Sequence, residues 1–297
     1  MKIGLIDVDG HSGFPNLALM KLAAYHKSIG DTVEWYTPWL SGHMDKVYMA
    51  KVFTFEPDYA FNVDADEIVK GGTGYGLFQD LEPEIDAIFP DYSIYPKFKS
   101  AIGFITRGCI RNCPWCVVPR KEGKIRPCSD WRSIKRDDSN ELVFLDNNVL
   151  ASDYGIAQMK GMIGQKIKID FNQGMDARLV TPEIANIMAK LKWIRWVRFS
   201  CDTKQSIKPV AKAFQLLREA GVAPSSFWSY MLVQDVEEAK LRFTALRIMG
   251  VEVFAQPYRP YDGSEPPADQ KAFARWVNGY FYKACSWEDY KYNPANY

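Results

Sequence analysis

The sequence predicts an α/β fold in two parts: a small parallel α/β unit over residues 1–98, then an incomplete, six-unit β/α barrel over 99–262. A helical, aromatic-rich tail over 263–297 follows. Three observations predict this. Short apolar runs alternate with stretches of 3.6-residue periodicity, the order of parallel strands joined by right-handed crossovers. The chain is 47% hydrophobic and 25% charged over 297 residues, which is ordinary for a globular protein and enough for a sizeable core. Six strand–helix units fit between residue 100 and the tail, whereas a closed eight-unit barrel takes roughly 200–250 residues.

Each element of the first part has its own signal. Residues 2–7 form an apolar strand ending at Asp7, and Asp9-Gly10-His11-Ser12-Gly13-Phe14-Pro15-Asn16 is the loop after it. Residues 17–29 read as a helix stopped by Gly30. Strands are expected at 32–36, 46–53 and 59–63. A glycine-rich turn then runs from Gly71 to Gly76, and 83–98, with Pro83, Pro90 and Pro96, reads as a linker.

In the second part, strands are expected at 101–106, 141–146, 167–171, 196–201, 227–233 and 251–256. The helix over 182–192 stacks Ile184, Ile187, Met188 and Leu191 on one stripe. The helix over 206–220 does so with Ile207, Val210, Ala211 and Phe214 and stops at Gly221. The helix over 236–249 aligns Val236, Ala239, Phe243 and Leu246 and stops at Gly250.

A formal net charge of +1 gives no global field toward nucleic acid or membrane. No apolar run reaches the eighteen residues of a membrane span. The first apolar run meets Asp7 early and reads as a strand rather than a signal peptide, so a cytoplasmic location is expected. Of the six cysteines, Cys109, Cys113 and Cys116 cluster, while Cys128, Cys201 and Cys285 are scattered. In a reducing compartment this is a metal site plus background thiols.

The clustered cysteines carry the chemistry. Thr106-Arg107-Gly108-Cys109-Ile110-Arg111-Asn112-Cys113-Pro114-Trp115-Cys116 has C-x3-C-x2-C spacing. Three thiolates on one tight loop hold three irons of a 4Fe-4S cluster and leave the fourth open. The loop follows the first barrel strand, and barrel active sites lie at the C-terminal strand ends. With Trp115 just before the last cysteine, the segment resembles the cluster loop of the radical S-adenosylmethionine (SAM) enzymes. The resemblance covers roughly 100–260 and implies a partial barrel of six units. It also implies that Cys109, Cys113 and Cys116 bind the cluster and that SAM chelates the open iron. One electron then cleaves SAM to a 5′-deoxyadenosyl radical that takes a hydrogen atom from a substrate. The alternatives are a zinc site completed by Cys128 and a non-catalytic iron–sulfur module.

Family members use the end of the second strand to hold the SAM amino group, often through Gly-Gly-Glu; here Asp146-Asn147-Asn148 stands in that place. A carboxylate there suits an ammonium. At the third strand end, Gln173 and Asp176 are candidate SAM contacts, and Arg178 suits the SAM carboxylate by its planar fork. Ser200 and Asp202 after the fourth strand suit ribose hydroxyls, and Gln256 at the sixth suits adenine or substrate. The family's glycine motif after strand five is not visible: the chain reads Tyr230-Met231-Leu232-Val233-Gln234-Asp235-Val236 there.

The N-terminal unit resembles the Rossmann-like cobalamin-binding domain of one subgroup, which implies His11 as a cobalt ligand and Gly71-Gly72 beside the nucleotide tail. The glycine after His11 falls one place early, and a degenerate lid or substrate module is the alternative. His26 is expected to be structural and His43 solvated. Methylthiotransferases would need three further cysteines in this unit, and it has none. Arg107, Arg111, Arg120, Lys121, Lys124 and Arg126 face Glu122 alone in sequence. That run suits an anionic substrate such as a nucleotide or RNA, or an acidic electron donor such as flavodoxin or ferredoxin. Methylation is one of the reactions open to such an enzyme. The aromatic tail suits either base stacking or core cover.

Overall fold

A computed structural model describes residues 1–291. The chain divides into two compact units, Met1–Ser100 with Tyr261–Ser264, and Ala101–Pro260 with the chain from Glu265 on. Both are mixed α/β with parallel sheets. Among the described residues no helix is long and apolar enough to cross a membrane.

The first unit contains β1 (Lys2–Asp7), α1 (Leu17–Ser28), β2 (Thr32–Trp35), β3 (Met44–Ala50), β4 (Ala65–Gly71) and the single turn α2 (Pro83–Asp86). Its sheet has the order β2-β1-β3-β4, parallel throughout. Asn16 caps α1 through Ala18 N and Leu19 N, satisfying amides that the first helical turn leaves open. Leu19, Leu22 and Ala23 then pack on Ile3 and Leu5 of β1, while Ile6 joins Met44, Val47 and Met49 in a separate cluster.

The strand expected at 59–63 is irregular. Tyr59 and Val63 pack as side chains on the Ile6 cluster, and the pairing edge is taken by β4, from Met44↔Ala65 to Ala50↔Gly71. Asp66, Glu67 and Lys70 line this edge strand, charges that deter edge-to-edge association. β3 starts and stops earlier than 46–53, because the chain turns at Lys51 to meet Gly72 and Gly74.

The second unit begins with β5 (Ala101–Gly103), β6 (Thr106–Arg107), α3 (Val118–Lys121), β7 (Arg126–Pro127) and α4 (Trp131–Ile134). It then alternates β8 (Glu141–Phe144), α5 (Asp153–Met162), β9 (Lys168–Phe171), α6 (Pro182–Lys190), β10 (Val197–Ser200), α7 (Ile207–Glu219), β11 (Phe227–Val233), α8 (Val236–Ile248), β12 (Glu252–Pro257) and α9 (Ala268–Asn278). Two three-stranded parallel sheets result, β5-β8-β9 and β10-β11-β12. Two single bridges, Ile169↔Trp193 and Met175↔Phe199, lie between β9 and β10.

β11 shows how the unit uses its two faces. Phe227, Ser229, Met231 and Val233 are buried, and Phe227 stacks on Phe214 of α7 at 4.4 Å. Trp228, Tyr230 and Leu232 point to the other face and are half-buried. The register puts Arg198 and Ser200 of β10, and Phe254 and Gln256 of β12, on that same face. The stripe of α6 is buried as its periodicity predicts; on α7 Ala213 and Leu217 join Val210 and Phe214 in the core while Ile207 and Ala211 are half-buried, and on α8 Val236 is half-buried.

α8 departs from its apolar stripe at Arg242, which is 1% exposed. Its Nη1 donates to Cys201 O and to Leu232 O, each at 2.8 Å. One guanidinium thus ties the ends of β10 and β11 to the helix. Burial pulls its pKa below the usual arginine range. Arg242→Ala is expected to lower unfolding stability by about 2–4 kcal/mol, because two buried carbonyls lose charge-assisted partners; urea denaturation measures this.

The aromatic end covers the core. Trp276 lies on Phe243 at 5.2 Å and Trp287 on Phe273 at 5.2 Å, with Tyr282 and Tyr290 packed beside them. The tail is therefore part of the second unit rather than a separate element. Tyr292 and Tyr297 lie outside the described residues.

Candidate functional site

The cysteine loop is an insertion between the paired strands β6 and β7, where Thr106↔Pro127 and Arg107↔Arg126 run antiparallel. That hairpin was not visible in the sequence. Gly108 closes it: φ is +87°, and a Cβ there would collide with Lys124 O and stand 2.8 Å from Gly123 O. Cys109 N then donates to Gly123 O at 3.1 Å, and Cys116 N to Cys113 O at 3.0 Å. These bonds curl the loop so that all three cysteines line one cavity of about 360 Å³.

The residues after β8 hold this loop from beneath. Asp146 Oδ1 accepts from Thr106 N at 2.6 Å and Thr106 Oγ1 at 2.7 Å, and Oδ2 from Ile105 N at 3.0 Å. Asn147 Oδ1 accepts from Gly108 N at 2.9 Å. Asn148 Nδ2 donates to Cys109 Sγ at 3.4 Å. The triplet is thus a three-point clamp on the chain entering β6, on Gly108 and on the first cysteine. Asp146, expected at the SAM amino group, is 2% exposed and does not line the cavity. Its carboxyl is spent on the backbone, and burial raises its pKa to about 6 against the hydrogen bonds from Thr106 and Ile105.

The other strand ends complete the wall. Trp115, Asn147, Asn148, Gln173, Asp176, Arg178, Ser200 and Asp202 line the same cavity. Gly174, at φ +83°, brings the turn after β9 against Ser200 and Tyr230; an added Cβ would stand 3.2 Å from each. The turn leading into α7 contributes Thr203 and Ser206, and the first turn of α7 contributes Val210, none of them expected from the sequence as site residues. Gln256 is exposed and outside the lining, although it shares the sheet face of Ser200.

Arg178 does not present a free fork. Its Nε and Nη2 grip Asp176 side-on at 2.6 and 3.0 Å, and Arg111 Nε reaches the same carboxylate at 2.9 Å. Burial pushes Asp176 up, but the bonds from Arg178 and Arg111 outweigh it and hold the carboxyl below the usual range. Asp202 is raised by burial, against the amide of Leu232 that it accepts at 3.0 Å and the charges of Arg242 and Arg178. Burial also raises the thiols of Cys113, against the Arg178 charge, and of Cys116, against the Val118 amide.

The cationic run is partly paired. Arg107 and Arg126 both reach Glu122, at 3.5 and 3.3 Å, and Arg111 is held by Asp176. Cys128 is exposed and lies outside the cavity, Cys201 is buried with its thiol pushed up to about 12, and Cys285 is partly buried. Among the described residues no three His, Cys, Asp or Glu side chains converge as a site for a metal ion. A four-iron cube takes each thiolate on a different iron, so its ligands need not meet at a point.

In the first unit, His11 is exposed, with Glu56 at 3.9 Å. Gly71 borders open space, whereas Gly72, at φ +92°, packs its backbone on Lys51 O. His26 is buried between Asp31 and Tyr48, at 2.7 and 3.0 Å. His43 is exposed and bridges Asp64 and Asp66, at 2.8 and 3.1 Å; its hydrogen bond to Asp64 raises its pKa.

The chain matches no protein-family model and no curated protein.

Proposed function

We propose that the second unit is a six-unit partial β/α barrel of the radical SAM type, and that its cavity is the site where SAM is cleaved. One observation carries this reading: the three cysteines and side chains from the ends of β8, β9 and β10 line a single cavity. Cys109, Cys113 and Cys116 would hold a 4Fe-4S cluster, which supplies the electron for reductive cleavage of SAM to a 5′-deoxyadenosyl radical.

The residues present fit that group. Three thiols share the cavity without Cys128, which leaves the triad short of a fourth protein ligand. Asn148 Oδ1 is buried and has no hydrogen-bond partner, so it is an acceptor suited to the SAM ammonium. Arg178, oriented by Asp176 in the cavity wall, would offer positive charge to the SAM carboxylate. Ser200 and Asp202 supply polar atoms for the ribose. Trp115 and Val210 add apolar wall that limits water beside a reactive radical.

The substrate side rests on the basic loop. Arg107 and Arg126 reach Glu122 and Arg111 reaches Asp176, and the run of six cations from Arg107 to Arg126 against Glu122 suits an anionic nucleotide or RNA, or flavodoxin or ferredoxin. Cobalamin would need Gly71 and Gly72 for its nucleotide tail; Gly71 borders open space, whereas Gly72 packs its backbone on Lys51 O.

The test is anaerobic. The protein is reconstituted with iron and sulfide, reduced with dithionite and given SAM, and 5′-deoxyadenosine is quantified by chromatography. Product above the protein-free control is the expected result. A reducible cluster that gives none would leave the non-catalytic iron–sulfur module standing; zinc retained in place of iron would leave the zinc module.

A further inference from the structure

The three cysteines are not equivalent. Cys109 Sγ accepts from Arg111 N at 3.3 Å and from the side-chain amide of Asn148 at 3.4 Å. Asn148 is 3% exposed and lies four residues after β8, at the start of the 3-10 turn Val149–Ala151 and one residue beyond the Asn147 contact to Gly108. Its amide is therefore kept out of water, with its donor on a sulfur of the triad. Hydrogen bonds to ligand sulfurs are among the features that set the reduction potential of an iron–sulfur centre. Their strength grows with the negative charge on sulfur, and water competes little for a donor this deeply buried.

We infer that Asn148 tunes the reduction potential of the cluster through its bond to Cys109, holding it above the value the same loop would have without that donor. This rests on the iron–sulfur reading of the cavity. The step concerned is uptake of one electron from an external reductant; no bond to Asn148 forms or breaks. The reduced cluster carries one more negative charge, most of it shared with sulfur. An N–H donor therefore stabilises the reduced form more than the oxidised one. Asn148 is a positioning and tuning residue in this scheme.

Three variants separate tuning from simple support of the loop. Asn148→Leu keeps the bulk and removes the donor. Asn148→Asp keeps the shape, removes the donor and adds negative charge. Asn147→Ala removes the hold on Gly108 without touching sulfur. Each reconstituted protein is titrated anaerobically, following the visible absorbance and the electron paramagnetic resonance of the reduced cluster, with iron content measured beside it.

The expected result is a lower midpoint for Asn148→Leu, a still lower one for Asn148→Asp, and an unchanged one for Asn147→Ala. At the wild-type midpoint, the oxidised-to-reduced ratio should rise about tenfold for Asn148→Leu, which is 59 mV for a one-electron couple. An unchanged midpoint in both Asn148 variants overturns the inference. So does an equal shift in Asn147→Ala, or loss of iron from both Asn148 variants, since either makes Asn148 a loop support alone. If the wild-type protein assembles no cluster, the iron–sulfur reading itself has failed, a result visible before any variant is made.

Discussion

Cys113→Ala is expected to reduce 5′-deoxyadenosine formation by more than about 100-fold. Loss of an outer partner of a metal site costs roughly 10–100-fold, and removal of a ligand should cost more. The side chain sits at the turn closed by Cys116 N on Cys113 O, in the wall of the cavity. Alanine preserves that backbone bond, so the loop keeps its path while one iron loses its thiolate. Cys109→Ala and Cys116→Ala should behave alike. Cys128→Ala is the control: its thiol is exposed and outside the cavity, and product formation should not change. Full turnover by Cys113→Ala would remove the loop from the chemistry. Loss of turnover in Cys128→Ala would point instead to Cys128 as a fourth cysteine ligand.

How much of this could be read from the chain depends on the range of the interactions involved. Local periodicity was enough for β11, whose alternation buries Phe227, Ser229, Met231 and Val233, and for the stripe of α6. The glycines that close helices behaved as stop signals: Gly221 and Gly250 both adopt positive φ beyond their helices. The C-x3-C-x2-C spacing was local too, so the three cysteines could be grouped without tertiary information.

What the sequence could not show was non-local. Asp146 carries the charge that suits an ammonium and Arg178 the charge that suits a carboxylate, and each is also engaged by the protein itself. The partners of Asp146 are backbone amides some forty positions earlier in the chain, at Ile105 and Thr106, and no periodicity reports them. Arg178 had a nearer warning in Asp176, two residues before it. Arg242 had a warning as well: it sits three residues after Ala239 and four before Leu246, on the buried stripe of α8. A charged residue on an apolar stripe reads as a defect until the open carbonyls at two strand ends are known. The misplaced edge strand of the first unit has the same origin. Tyr59 and Val63 have the right residue types for a strand, but pairing with β3 is decided by β4.

Asp146→Ala is expected to destabilise the second unit by about 3–5 kcal/mol near pH 4.5, through three buried polar groups left without a partner. These are Ile105 N, Thr106 N and Thr106 Oγ1. The deficit should shrink as pH rises, for a reason peculiar to this carboxyl. Burial raises its pKa to about 6, from 3.8 in the unfolded chain. The folded state therefore holds the proton more tightly than the unfolded state. The stability contributed by Asp146 is full below about pH 4 and is lost as pH rises through about 6, to the extent of about 3 kcal/mol. When protonated, the carboxyl keeps one acceptor oxygen and donates from the other, and the Thr106 hydroxyl can reverse to receive it. The alanine variant lacks this titration, so the wild-type-minus-variant difference in urea unfolding should fall between pH 4.5 and pH 7. A difference that grew with pH would mean that the amides of Ile105 and Thr106 stabilise the ionised carboxylate more than burial penalises it. Iron content after reconstitution should drop in the same variant at either pH. Asp146 fixes Ile105 and Thr106, and the chain reaches Cys109 only three residues later.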